Sequence, residues 1–409
     1  MAQSSDGSFS LRTRLAIYGS GFFSEGGHHV VIPLWLTTLD PSPLMFGIVM
    51  GARSFVPLLL SIHGGALMDR LGVRRLMVFF AVASLVLCIA YPLMPWVWAV
   101  LILNLITGFS TTMSWVGVQT LVGRNKGGHA EGAGWLSFTN RLGGLVCPLL
   151  AGIAWDLVGP YGSFAVMVVW CLGLLISGLL VPVTGDEGTR AGAKVAPADL
   201  LPRLSDYIDT FRMLALASVA FVVIGSVLNI GSGAIQSSFY VAYLENIGLS
   251  GTLIGVLVAM HSIGAAIGAL GMTRLLRWMH GLDLMNVSIC VATAMLAMTP
   301  LLGGFLPLFL AMSVRGLALG VSQPLFISLP MRAVPREAQG AAVGLRMTLN
   351  RLIQTVIPVA MGGIVEVVGL ESGFLVVGGF MLAAMILFTL YAWGRLPDGE
   401  GKAGSGARE

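Results

Sequence analysis

Five arginines stand inside long apolar runs: Arg53, Arg141, Arg315, Arg346 and Arg351. A guanidinium keeps its charge and carries five N–H donors, so at membrane depth it must meet an anion, carbonyls or water. Near the N-terminus, Glu25-Gly26-Gly27-His28-His29 adds one carboxylate and two imidazoles. Spacings of three and four residues predict a shared helical face for Glu25, His28 and His29. Such a group suits proton coupling, because burial raises a carboxyl pKa and imidazole titrates near neutrality. The structural alternative is that Glu25 neutralises an arginine while the histidines bond to backbone. His261, Asn229, Gln236 and Asn104 add polar groups in other apolar runs, suited either to gripping a substrate or to joining helices. Arg346 lies nearest the end of its run, where it could reach the interface instead.

The elements that must position these groups follow from composition. Of 409 residues, 56% are hydrophobic and only 10% charged, against about 25% charged in a soluble domain. The chain is therefore expected to be an integral membrane protein. Apolar runs of the length needed to cross a bilayer can be placed twelve times, at 14–38, 43–68, 75–95, 97–122, 131–156, 163–184, 213–243, 251–273, 284–303, 305–331, 341–366 and 371–395. The polar N-terminus before the first run predicts no cleavable signal peptide. The predicted organisation is a cytoplasmic N-terminus (1–13), a six-helix bundle (14–184), a cytoplasmic linker (185–212), a second bundle (213–395) and a cytoplasmic tail (396–409).

Charge supports this count. Every Lys and Arg outside the five membrane-depth arginines falls in the termini and even-numbered connections; the odd-numbered connections hold Asp40, Asp156, Glu245, Glu366 and Glu371 and no basic residue. By the positive-inside rule, both termini and the linker face the cytoplasm. The four cysteines sit in apolar runs without metal-type spacing, so neither a disulfide nor a zinc site is expected. The net charge of +4 is placed by topology and does not point to nucleic acid.

The halves repeat. At an offset of 210, Asn140-Arg141 aligns with Asn350-Arg351, Pro148 with Pro358, Gly152 with Gly362 and Asp156 with Glu366. At 208, Gly47 aligns with Gly255, Arg53-Ser54 with His261-Ser262, and His28-His29 with Gln236-Ser237. The stretch Gly65-Ala66-Leu67-Met68-Asp69-Arg70-Leu71-Gly72-Val73-Arg74-Arg75 resembles the signature loop of the major facilitator superfamily, between its second and third helices. With the helix count, charge sidedness and repeat, the likeness covers essentially the whole chain. It implies twelve helices in two pseudo-symmetric six-helix bundles, an all-α membrane fold, with a substrate site between them. Two departures stand out: the second-half loop at 271–277 lacks the Asp and second Gly, and Cys147 and Ala151 replace glycines in a helix-5 motif similar to that of proton-driven exporters. The resemblance also implies that Asp69, Arg70, Arg74 and Arg124 form a cytoplasmic charge network that governs conformational switching.

Membrane-depth charge sums to five Arg against Glu25, an excess that attracts anions and repels bare cations. The leading expectation is a proton-coupled secondary transporter of a small organic anion or zwitterion in the cell (plasma or inner) membrane. It is expected to need no cofactor and to act as a monomer. Substrate contacts are expected from Arg53, Arg141, Arg315, Arg351, His28, His29, Gln236, His261, Asn229 and Asn104, and proton coupling from Glu25, His28 and His29. Two rival transport readings are a proton-driven efflux pump for drugs or small molecules and a carrier of a metal ion or anionic metal chelate using Glu25, His28, His29 and His261. No nucleophile triad, phosphate loop or metalloenzyme spacing suggests an enzyme.

Overall fold

The computed structural model describes residues 10–24, 26–123, 129–181, 217–333 and 339–393, and these are helical apart from short turns. The elements are α1 (Leu11–Ser24), α2 (His28–Thr37), α3 (Pro43–Leu71), α4 (Val73–Leu93), α5 (Val97–Gly123), α6 (His129–Val158), α7 (Pro160–Leu180), α8 (Ala217–Ile235), a π turn (Gln236–Tyr240), α9 (Val241–Asn246), α10 (Gly251–Leu275), α11 (Gly281–Ala297), α12 (Phe305–Ala333), α13 (Gln339–Val368) and α14 (Leu370–Trp393). Among the described residues, nine helices are long and apolar enough to cross a membrane. Taking α1 with α2, and α8 with α9, as interrupted spans makes this series compatible with twelve crossings.

The first interruption has a local cause and corrects the sequence reading. The first apolar run is not a single helix: α1 ends at Ser24 and α2 begins at His28, with Gly27 at φ −68°, ψ 12°. Two adjacent glycines each cost a helix about 1 kcal/mol relative to alanine, so the break falls there. His28 and His29 therefore open a new helix instead of continuing α1. In the seventh run the chain widens into one π turn at Gln236–Tyr240. Such single-turn bulges re-aim side chains and occur frequently at functional sites.

The halves meet along two seams that obey the sequence repeat. In one, α3 packs on α13; in the other, α10 packs on α6. A side chain at Gly47 would run into the carbonyl oxygen of Pro358, and one at Gly255 into that of Pro148. One turn further out, Gly362 sits against the Pro43 carbonyl and Gly152 against that of Gly251. Only glycine admits this approach of helix backbones. The outer ends are tied as well. Asp156 accepts hydrogen bonds from Gly251 N (2.7 Å) and Thr252 N (2.8 Å), and its repeat partner Glu366 accepts one from Leu44 N (3.0 Å). Each carboxylate thus caps the first turn of a helix in the opposite half, where the helix dipole favours negative charge. Phe46 and Phe239, with ring centroids 4.9 Å apart, add an aromatic contact across the same end. The end of the molecule that carries the acidic connections is closed.

Candidate functional site

Beneath that closure, the halves line a cavity of about 540 Å³. Its lining combines apolar residues, among them Ile32, Met50, Pro148, Val258 and Pro358, with polar and charged ones. Arg53, Arg141 and Arg351 all line it, with His28, His29 and His261, and no carboxylate is found among the described lining residues. Glu25 lies outside the described residues, as do Arg124 and the side chains of Asp69 and Arg70. Arg74 donates from Nη2 to the Leu179 carbonyl at 3.3 Å, fastening α4 to the end of α7.

Arg53 is carried by α3, whose close approach to α5 is set by Gly108: a side chain there would strike the Arg53 carbonyl. The second half copies the device, with Gly316 against the carbonyl of His261. The repeat thus fixes both backbone positions, and the two halves then place different side chains on them, a guanidinium on one and an imidazole on the other. Arg53 lies within electrostatic reach of His28 and His29, and Arg141 within reach of His261. Arg141 has no hydrogen-bond or salt-bridge partner among the described residues. His28 is 3% exposed, and neither of its ring nitrogens has a hydrogen-bond partner among the described residues; the same holds for Nδ1 of His261. Guanidinium groups lining a shared cavity make a site suited to a charged acceptor.

The other sequence candidates divide. Arg315 is fully buried and stands behind the cavity wall. Its Nε donates to Gln236 Oε1 (2.9 Å), Nη1 to the Ala292 carbonyl (2.5 Å) and Nη2 to Ser232 Oγ (3.1 Å). Arg346 is likewise absent from the lining. Gln236 reaches the cavity from the π turn, and Asn229 from one helical stretch before it. Asn104 lines the cavity but has its amide engaged, Nδ2 donating to the Val49 carbonyl (2.8 Å) and Oδ1 accepting from Tyr91 (3.2 Å). Among the lining groups not singled out as site residues from the sequence are Asn140, which donates to Ser24 Oγ (3.1 Å), and Gln354, whose Oε1 accepts from Ser54 Oγ (3.0 Å) and Arg351 Nη1 (3.3 Å). Gln354 lies one turn beyond Arg351 on the same helix, a spacing that marks it once Arg351 is known to face inward. No group of three or more His, Cys, Asp or Glu side chains that could hold a metal occurs among the described residues.

The comparisons with known proteins agree with this fold. The family model described as Major Facilitator Superfamily matches residues 15–358 and 223–409. The chain belongs to the Major Facilitator Superfamily. It is accordingly a multi-pass membrane transporter working by alternating access, and not an enzyme. Among solved structures, that of the nucleoside transporter NupG shares 15% identity with a TM-score of 0.76, over 93% of this chain and 99% of that one. A bacterial homologue of the human lysosomal transporter Spinster, inward-facing and unoccupied, gives 14% identity and a TM-score of 0.67 over 93% and 94%. The peptide transporter POT in complex with sulfate gives 14% and 0.69 over 93% of each chain. At these identities the likeness concerns the fold alone. No curated protein matches the sequence significantly.

Proposed function

We propose that this superfamily member carries a small organic anion or zwitterion, coupled to protons. The observation that supports the reading is the cavity wall: three arginines and three histidines from both halves, with no carboxylate among the described lining residues. Low-dielectric walls lined by one sign of charge concentrate counter-ions, so an anion is drawn in and a lipophilic cation repelled. Proton coupling through Glu25, His28 and His29 belongs to the same proposal, as does control of switching by Asp69, Arg70, Arg74 and Arg124. By the charge asymmetry, the closed acidic end is extracellular, which makes this the inward-facing arrangement. The closed seams and the shared cavity then act as the two ends of one rocking motion. A drug-efflux reading fares worse, since a lipophilic cation would meet guanidinium groups in place of carboxylates.

The test is uptake into proteoliposomes carrying the full chain, with an imposed pH gradient. Radiolabelled small carboxylates should be accumulated faster with the gradient than without it, and Arg141→Gln should lower that uptake at least tenfold. Gradient-driven movement of cationic dyes, with carboxylates ignored, would refute the proposal.

A further inference from the structure

The repeat places the cavity's cations at two related sites, one on each seam. On the α3–α13 seam stand Arg53 and Arg351; Gln354 Oε1 accepts from Arg351 and from Ser54, the residue next to Arg53. On the α10–α6 seam, the residues at the same repeat positions are His261 and Arg141, the second within electrostatic reach of the first. The two sites differ at one further position: Gln354 on the first seam corresponds to Gly144 on the second, and both line the cavity.

The orientation of Gln354 is decided by chemistry. Arg351 can only donate, so the amide edge it meets must be the carbonyl oxygen. That oxygen also receives the Ser54 hydroxyl. The Nε2 amide group of Gln354 therefore remains as a donor on a cavity-lining side chain, with no partner among the described residues. The first seam thus offers guanidinium and amide donors together, whereas Gly144 brings no side-chain donor to the second.

We propose that the substrate is an organic anion with two separated oxyanionic groups, one held on each seam, and that Gln354 is a specificity-determining donor for the group on the α3–α13 seam. This rests on the anion reading above. Bridging both seams gives such a substrate two holds where a monoanion has one, and joins two weak contacts into one strong one.

The experiment measures binding to the purified full-length chain by quenching of tryptophan fluorescence. The probes are the linear dicarboxylates from malonate to adipate, the monocarboxylates from acetate to hexanoate, and uridine as a neutral solute. One dicarboxylate length should bind at least tenfold more tightly than the monocarboxylate of equal carbon number. Gln354→Ala should erase most of that advantage, and Gln354→Glu should abolish it by adding a like charge. Arg141→Gln, on the opposite seam, should erase the advantage independently, so the proposal can be judged even if the Gln354 variants fail to fold. Equal binding of mono- and dicarboxylates, or an advantage that survives Arg141→Gln or a folded Gln354→Ala, overturns the two-seam proposal and leaves the anion reading standing. Binding of uridine with none of the carboxylates overturns both.

Discussion

Removing Asp156 should loosen the closed end by an amount that can be worked out from its contacts. Its carboxylate accepts two backbone N–H bonds from the first turn of α10, at 2.7 and 2.8 Å, and both donors belong to the opposite half. A capping acceptor is worth typically about 1 kcal/mol, with the helix dipole adding a few tenths at an exposed site. Asp156 is exposed, so the freed N–H groups find water and no burial penalty is added. Because the bonds exist only while the halves touch, nearly all of that energy bears on the balance between closed and open states. Asp156→Ala should therefore shift the balance about fivefold towards opening at this end. Glu366 makes one such bond, to Leu44 N at 3.0 Å, so Glu366→Ala should do somewhat less. The caps lie on different helix pairs and share no partner, so their effects should add. The double variant should reach a shift of about 2 kcal/mol, roughly 30-fold. Spin labels at Thr38 and Glu245, exposed residues of opposite halves, would report the populations by electron–electron distance measurement. Unchanged distances in the double variant, or a shift towards closure, would refute the argument that these carboxylates hold the seam.

Two further outcomes follow from packing. Gly108→Val inserts a branched side chain where even a Cβ meets the Arg53 carbonyl. Overpacking of that kind costs about 1–3 kcal/mol, so the melting temperature in detergent should fall, while Gly134→Ala, with open space around it, should not lower it. Arg315→Met removes three donors at once and leaves Gln236 Oε1, Ser232 Oγ and the Ala292 carbonyl without them. At about 1–3 kcal/mol for each unsatisfied buried group, size-exclusion profiles should show loss of the monodisperse folded species. A well-folded Arg315→Met variant would place the residue's importance elsewhere.

The sequence determined what depends on one-dimensional pattern. Apolar run length predicts crossings because the bilayer has a fixed thickness. Basic residues kept to alternate connections predict sidedness, and the repeat carries pairs such as Asp156 with Glu366 and Gly47 with Gly255 into equivalent contacts. Family membership was legible in the stretch from Gly65 to Arg75, even though the side chains of Asp69 and Arg70 and the whole of Arg124 fall outside the described structure. Much of the site was legible too: Arg53, Arg141 and Arg351, as charges too costly to leave in lipid, do line the cavity. What only the tertiary structure decided is the rotation of each helix about its axis and the partner it meets. Arg315 is as polar and as central in sequence as Arg141, yet it faces α8 and α11 and spends its donors there, whereas Arg141 faces the void. Gln354 carried no signal of its own, because an amide in an apolar run reads equally as packing until its neighbours across the seam are known. The break between α1 and α2 likewise depended on two glycines prevailing over an otherwise continuous apolar run. Local sequence sets which groups are costly to bury; only the assembled helices determine whether a neighbouring side chain or an open cavity meets each one.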